Sequence, residues 1–453
     1  MSEPRVVRAD AMPAGTPEVP VVIVGAGACG LVAATVLGDA GIECVLLERD
    51  ASPQGSTALS SGFVPAAGTR VQRAAGVVDD SAQRFAADIQ AKAHGEAAPH
   101  IVAAYTEAIA PALDALGERH GLRFELLDGF LYPGHTARRM HTLPERTGAA
   151  LMTALERTAL DAGASLVTQA LVRELWAEDA GRVLGVSFVR PDGRMEHVAC
   201  QALVLACNGY GGNATLVREL LPSFADAPFV GHTGNDGSAL LWGRALGARS
   251  ADLGGCQGHG SWAVPHGVLI TWAPMTRGAI QVNAEGRRFH DETGGYSEAA
   301  VAVLAQPGGI AWDLLDDRLL ALAREFPDFR EAEAVGARRP AADVHALAAL
   351  IGCDANTLAA TLAGTALRAP YHAIKVTGAL FHTQGGLDVD GHCRVLRAAD
   401  GRPLPNLWAA GGAARGVSGP AEWGYLSGNG LLSAVAGGWI AAHDVARTLE
   451  DAQ

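Results

Sequence analysis

Six consecutive residues, Gly25-Ala26-Gly27-Ala28-Cys29-Gly30, have the types and spacing of a turn that holds a diphosphate. Gly25 permits the tight turn, Gly27 lets the backbone approach the pyrophosphate, and Gly30 lets the next helix lie close to the strand before it. Ala28 and Cys29 then offer backbone N–H groups at the positive end of that helix. Glu48, at the end of a second apolar strand and followed by Arg49, is placed to accept hydrogen bonds from a ribose. The order strand, glycines, helix, strand, acid separates this run from a glycine-rich turn that binds nothing.

That fingerprint fits NAD and FAD equally, and three further segments turn the reading to FAD. Gly55-Ser56-Thr57-Ala58-Leu59-Ser60-Ser61-Gly62 is a run of small residues and hydroxyls, too polar for a core strand and suited to pass beside a diphosphate and a flavin ring. Leu407-Trp408-Ala409-Ala410-Gly411-Gly412 repeats the strand-then-glycine pattern. Tyr425-Leu426-Ser427-Gly428-Asn429-Gly430 precedes an apolar helix from about Leu431 to Val445. The N-terminus of such a helix stabilises negative charge on a reduced flavin.

The elements that must position these residues are an apolar strand over 20–24, a helix over 31–40 stopped by Gly41, and a strand over 44–47. Residues 79–122 read as helices, and 148–160 as a helix leading to strands over 165–167 and 183–186, with Val172 touching the adenine. An alanine-rich helical stretch over 326–363 is broken at Pro327 and Pro340. The first 18 residues and the last four or five are expected to fray. A chain of 453 residues with 49% hydrophobic residues, 56 glycines and 18% charged residues exceeds one core and suits a compact α/β enzyme. Its net charge of −13 disfavours nucleic acid and an anionic membrane surface as partners. Seven scattered cysteines contain no CxxC pair and no CxxCH haem signature, so no metal is expected and the thiols read as reduced. No apolar run reaches about 18 residues. A soluble cytoplasmic protein follows, whose electrons leave through a diffusing acceptor such as oxygen, a quinone or a carrier protein.

Three more runs, Ala202 to Gly211 (ALVLACNGYG), Gln281 to Phe289 (QVNAEGRRF) and His382-Thr383-Gln384-Gly385-Gly386-Leu387, complete a pattern. Over residues 20–445 the chain resembles the fumarate reductase and succinate dehydrogenase flavoprotein superfamily, which includes the 3-ketosteroid dehydrogenases. The resemblance implies an α/β fold: a Rossmann-like FAD-binding domain in two segments, 19–254 and 378–453, after an arm over 1–18, with an inserted α+β capping domain over 255–377. It adds Cys207, Asn208, Gly209, Gly411, Gly412, Asn429 and Leu431 to the cofactor contacts. Membrane-complex members attach FAD through a histidine in the second glycine-rich segment. Here that segment holds Ser56 and Thr57 and no histidine, so non-covalent FAD is expected.

Two departures from the family pattern bear on chemistry. Fumarate reductases are expected to carry an arginine after the RF-x-(N/D)-E segment and another before the last glycine cap; here these positions are Tyr296 and Tyr425. Losing both removes the charge complement for a dicarboxylate. A phenol can polarise a ketone oxygen, and as phenolate it can take the α-proton. The 3-ketosteroid dehydrogenases look similar at both places, and Tyr425-Leu426-Ser427-Gly428 fits the Y-x-S-G form of the Δ4-type enzymes. The resemblance implies desaturation α,β to a ketone, in a 3-ketosteroid or a 4-oxocyclohexanecarboxylate, with the β-hydrogen leaving as hydride to flavin N5. Tyr425 and Tyr296 form the acid/base pair, the base being either one, or one of them packs on flavin; Ser427 and an N–H near Gly428 are carbonyl-side donors. His382 and His259 sit where fumarate reductases keep substrate histidines; alternatively His382 bonds the flavin and His259 is a satisfied interior residue. Arg277 is a candidate carboxylate partner or a structural arginine, and Tyr132 a candidate pocket residue. The competing functions are an enoate reductase of the fumarate reductase type and a non-catalytic flavin-binding subunit of an electron-transfer assembly.

Overall fold

The computed structural model describes residues 3–128 and 131–451. Residues 1–2 and 452–453, part of the ends expected to fray, lie outside the described residues. The chain divides into two compact units. One comprises residues 1–216, 231–255 and 382–453, the other 217–230 and 256–381. The second begins earlier in sequence than expected, because residues 217–230 belong to it, with Val230 N–H bonded to the Leu380 carbonyl.

The first unit is built on a nine-stranded sheet. Its parallel heart is Glu18–Val24, flanked by Cys44–Leu47 and Met195–Leu205, with Ser165–Val167 and Pro403–Ala409 added outside, these five all parallel to one another. Parallel strands covered on both faces need unbroken apolar runs, and Val21, Val22 and Ile23 are each fully buried. Each contributes roughly 1.5–3 kcal/mol by leaving water. The helix Ala28–Asp39 begins earlier than the apolar pattern suggested, within the glycine run itself. It packs against the C-terminal helix Asn429–Glu450 through Gly438, where a Cβ would stand 2.3 Å from the Cys29 carbonyl oxygen. The helices expected in 79–122 are Ala82–Lys92 and Pro99–His120.

The expected free arm is corrected in one part. Arg5–Arg8 form a strand parallel to Leu171–Ala177, and Arg5 pairs with the buried Glu174 carboxylate, which ties the segment down.

The second unit carries a six-stranded sheet, with Tyr371–Thr383 between Cys256–Ala263 and Ile310–Asp316. Ile280–Val282 pairs antiparallel with Ile310–Asp316. The alanine-rich region forms the helices Pro327–Ala334, Val344–Ile351 and Ala355–Ala363. Pro340 was expected only to break a helix. It lies in the short strand Arg338–Ala341, which pairs with Tyr371–Thr383 alone, an edge position that tolerates proline. No single described helix is long and apolar enough to cross a membrane.

Candidate active site

The glycine turn of the first unit shows which glycines serve the protein and which leave room for a ligand. At Gly25, with φ of +100°, a Cβ would lie 2.6 Å from the Ala206 carbonyl oxygen, and at Gly30 one would lie 2.0 Å from the Gly25 carbonyl oxygen. Both are fixed by backbone packing. Gly27 differs: the nearest atom to its Cβ position is Thr57 Oγ1 at 3.9 Å, and the Cβ position of Gly55 looks onto Gly27 Cα at 4.0 Å. The pair borders open space at the start of the helix Ala28–Asp39, whose N-cap residue, Gly27, has no side chain to cap it. That is the cradle a pyrophosphate needs. Glu48 is buried, and its carboxylate accepts N–H bonds from Ala26 and Asp50 at 2.9 Å each, so it first holds the turn and keeps lone pairs for a ribose.

Around this cradle, Ser56 Oγ accepts from Asn208 Nδ2 at 2.8 Å and Asn235 Nδ2 at 3.1 Å. Its own O–H is thereby left to donate outward, as a phosphate or flavin carbonyl requires. Thr57 Oγ1 accepts from Ala28 N–H. The other expected contacts also have close neighbours within the protein. Ser60 closes its own turn on Thr57 and Gly62, and Ser61 is exposed. Gly62 fits against Thr147, Gly209 against Thr383, Gly411 against Cys29 and Gly412 against Asn208. Arg49 is committed to Gly234 and Asp236. Val172, Cys29 and Cys207 belong to the hydrophobic core or its edge, with Leu431 packed on it.

At the start of the C-terminal helix Gly428 has φ of +89°, and a Cβ there would stand 2.7 Å from Pro65. This left-handed residue turns the chain so that Tyr425 folds back over the helix N-terminus. Burial pushes its phenol well above the ordinary range, and the nearby backbone N–H groups of Gly428 and Gly430 pull it back. Tyr132 is near enough to interact electrostatically with Tyr425, and its ring meets Phe63 at 6.5 Å; Phe130, beside it in sequence, lies outside the described residues.

His382 meets Tyr425 edge-on, with ring centroids 5.5 Å apart. A buried chain of hydrogen bonds fixes its tautomer. Asn429 Nδ2 donates to Ser418 Oγ at 2.9 Å, Ser418 donates to Gln384 Oε1 at 2.9 Å, and Gln384 Nε2 donates to His382 Nδ1 at 3.1 Å. The competing contact from Nδ1 to the Thr383 carbonyl is longer, 3.4 Å. Nε2 then carries the proton, beside Gly430, whose Cβ position is 2.9 Å away. Burial lowers the His382 pKa to about 4, so the ring is neutral near pH 7.

The second unit holds Tyr296 at the first position of the helix Tyr296–Leu304. Its ring stacks on His259 with centroids 4.9 Å apart and planes 18° apart. His259 Nδ1 accepts from Ser261 N–H at 3.1 Å, again leaving the proton on Nε2, and burial lowers its pKa to about 3. Behind it, Asp313 accepts from Gln281 Nε2 at 2.7 Å, and burial raises this acid to about 7. Arg277 ends a short turn with its side chain exposed.

The family model described as FAD binding domain matches residues 20–431. The chain belongs to this family. It is 27% identical over 450 residues to an NADH:fumarate oxidoreductase of Klebsiella pneumoniae, covering 94% of this chain and 47% of that protein, so it spans about half that relative's length. It is 28% identical over 374 residues to a 4-oxocyclohex-2-ene-1-carboxylate 5-dehydrogenase of Sinomonas cyclohexanicum, covering 69% of this chain and 62% of that one. Among solved structures, the open conformation of a flavocytochrome c3 fumarate reductase superposes with TM-score 0.82 at 25% identity, over 97% of this chain and 79% of that one. The 3-ketosteroid-Δ4-(5α)-dehydrogenase of Rhodococcus jostii RHA1 shares the fold with TM-score 0.78 at 24% identity, over 98% and 100%. The chain is thus an FAD-binding protein of the fumarate reductase superfamily, with ketosteroid dehydrogenases among its structural neighbours.

Sequence reading missed the supports of the site. Gln384 stands two residues after His382 in a run noted for its glycines, and Ser418 belongs to no motif. A buried histidine, His135, was also missed; its Nε2–H donates to the Ser427 carbonyl at 2.9 Å across 292 residues of sequence.

Proposed function

We propose that this enzyme introduces a double bond next to the carbonyl of a cyclic ketone, a 3-ketosteroid or an oxocyclohexanecarboxylate. One observation carries the reading: the buried Tyr425 phenol lies over the first turn of the C-terminal helix, its oxygen 3.7 Å from the Cβ position of Gly430, and meets neutral His382 edge-on. A phenol so placed polarises a ketone oxygen and receives the charge of an enolate, as an oxyanion donor does. Tyr425 is therefore assigned the carbonyl side, with neutral His382 as a second donor, and Tyr296, stacked on neutral His259, the α-proton. Bound FAD, held without a covalent bond, supplies the hydride acceptor. The Sinomonas relative, a dehydrogenase of an oxocyclohexene acid by name, supports this substrate class.

Anaerobic mixing tests it. A saturated cyclic ketone should bleach the flavin, and acid precipitation should leave a colourless pellet under a yellow supernatant. The fumarate reductase relatives favour an enoate reductase as second reading. If the ketones leave the flavin oxidised while fumarate reoxidises the dye-reduced enzyme, the desaturase assignment fails and the second stands.

A further inference from the structure

The second unit holds an amide that the reaction as proposed does not use and that is bonded at both of its ends. Gln281 is fully buried, directly across the pair of strands Ile280–Val282 and Ile310–Asp316 from Asp313, which is fully buried too. Its backbone N–H donates to Glu292 Oε1 at 2.8 Å, and Arg288 pairs with that carboxylate. Its side-chain Nε2 donates to Asp313 Oδ1 at 2.7 Å and to the Gly260 carbonyl at 2.9 Å, with Ser261 Oγ a third and longer contact at 3.1 Å. A peptide carbonyl can only accept, so the NH2 end of the amide must face it. Oε1 then turns to His290 Nε2, 2.7 Å away, which donates. These neighbours hold the amide in one orientation.

What the amide grips is the peptide between Gly260 and Ser261. The Gly260 carbonyl and the Ser261 N–H belong to that one planar trans peptide, so they point in opposite directions. The carbonyl receives Gln281 at 2.9 Å, and the N–H donates to His259 Nδ1 at 3.1 Å. Donation to the carbonyl also polarises the peptide and strengthens the bond its N–H makes. The peptide lies against the helix that begins at Tyr296: a Cβ at Gly260 would stand 2.7 Å from Ala299 Cβ, and the Gly258 N–H donates to Ser297 Oγ at 3.0 Å. The bond to Nδ1 fixes both the tautomer of His259 and the rotation of its ring. That ring is the plane on which Tyr296 lies, 4.9 Å away between centroids.

We infer that Gln281 is a positioning residue for the His259–Tyr296 pair: through the single Gly260–Ser261 peptide it aims the Ser261 N–H at His259 Nδ1 and so sets the ring on which Tyr296 stacks. Asp313 and His290 hold the amide at its two ends. The catalytic consequence rests on the assignment of Tyr296 to the α-proton in the proposed reaction; the structural content does not.

Gly–Ser occurs three times in the chain, at 55–56, 237–238 and 260–261. Holoprotein made by cell-free synthesis with carbonyl-13C glycine and 15N serine therefore gives three correlated peaks, and Ser261→Ala identifies the relevant one by removing it. His259→Leu, which takes away the ring acceptor, should move the serine proton of that peak upfield. Gln281→Met, close in shape and without a donor, should move its glycine carbonyl and its serine proton together and leave the other two peaks in place. If Gln281→Met does not accumulate as folded holoprotein, Gln281→Met combined with Asp313→Leu replaces it, since removing both partners of a buried polar pair leaves neither of them unmet. A 260–261 peak indifferent to loss of the Gln281 donor overturns the inference, as does a Ser261 proton unmoved in His259→Leu. These spectra need no substrate, so they hold or fail independently of the desaturase reading. In bleaching by saturating ketone Gln281→Met should be about tenfold slower, which is about 1.4 kcal/mol. Added to Tyr296→Phe it should slow the reaction no further, and full additivity counts against the link.

Discussion

Tyr425 and Tyr296 carry the same phenol in unlike settings. Tyr425 is buried, its oxygen lies over the first turn of a long helix, 3.7 Å from the Cβ position of Gly430, and a histidine locked by Gln384 and Ser418 stands edge-on to it. Tyr296 is half-buried at the first position of a nine-residue helix and lies flat on His259. Donors aimed at an oxygen favour negative charge on it and on whatever it is bonded to, which suits the group that meets a ketone. A half-buried phenol stacked on a neutral ring has more access to water, through which an abstracted proton can leave. The same side chain thus takes opposite roles in the proposed reaction because its burial and its neighbouring histidine differ.

Phenylalanine at each position is the strongest way to break this contrast. Tyr296→Phe should lower the bleaching rate with a cyclic ketone by about 10³-fold, within the range for a lost general base. It should also abolish exchange of the ketone α-hydrogens with deuterated solvent. Tyr425→Phe should cost about 10²-fold, the scale of one oxyanion donor, and keep slow exchange. If Tyr425→Phe alone abolishes exchange, the roles are reversed.

The support of His382 gives a smaller effect. Gln384→Leu removes the donor to Nδ1, so that His382 can turn its proton to the Thr383 carbonyl and present a bare Nε2. A rate loss of about tenfold is expected, with flavin content unchanged. No loss would mean that the tautomer is immaterial and His382 only fills space.

The cradle and the two tyrosines were legible in the sequence because each sits in a local run whose physics is local: a glycine turn, a helix start, a strand end. Even there the pattern did not tell which glycines face a ligand. Gly27 and Gly55 border open space, whereas Gly209 and Gly412 are small because Thr383 and Asn208 fill the room. What could not be read was support from a distance. His135 meets Ser427 across 292 residues, and Arg139 meets Asp80 across 59, so no spacing rule announces them. Arg5–Arg8 look like a free arm because the acid that receives Arg5, Glu174, belongs to a strand far along the chain.

The two units should also part company on acidification. In the first, burial lowers His135, His141 and His382 to about 4 each, from an ordinary value of 6.5. Between those values the unfolded chain binds protons that the native one refuses, so native stability falls as pH drops from about 6.5 toward 4. Each proton is worth at most about 1.4 kcal/mol per pH unit. In the second unit His259, at about 3, and His290 act in the same sense, but burial raises Asp313 to about 7 and raises Asp328 as well. These acids keep a proton that the unfolded chain has released, so their contribution grows as pH falls and offsets the histidines. Amide hydrogen exchange at pH 7 and pH 5.5, corrected for intrinsic rates, should show protection falling in the sheet of residues 18–24, 44–47 and 195–205 while the strands over 310–316 and 371–381 change less. Equal losses in both would mean that Asp313 does not hold its proton in the folded chain, and Asp313→Asn, which removes the offset, should then leave the second unit's pH response as it was.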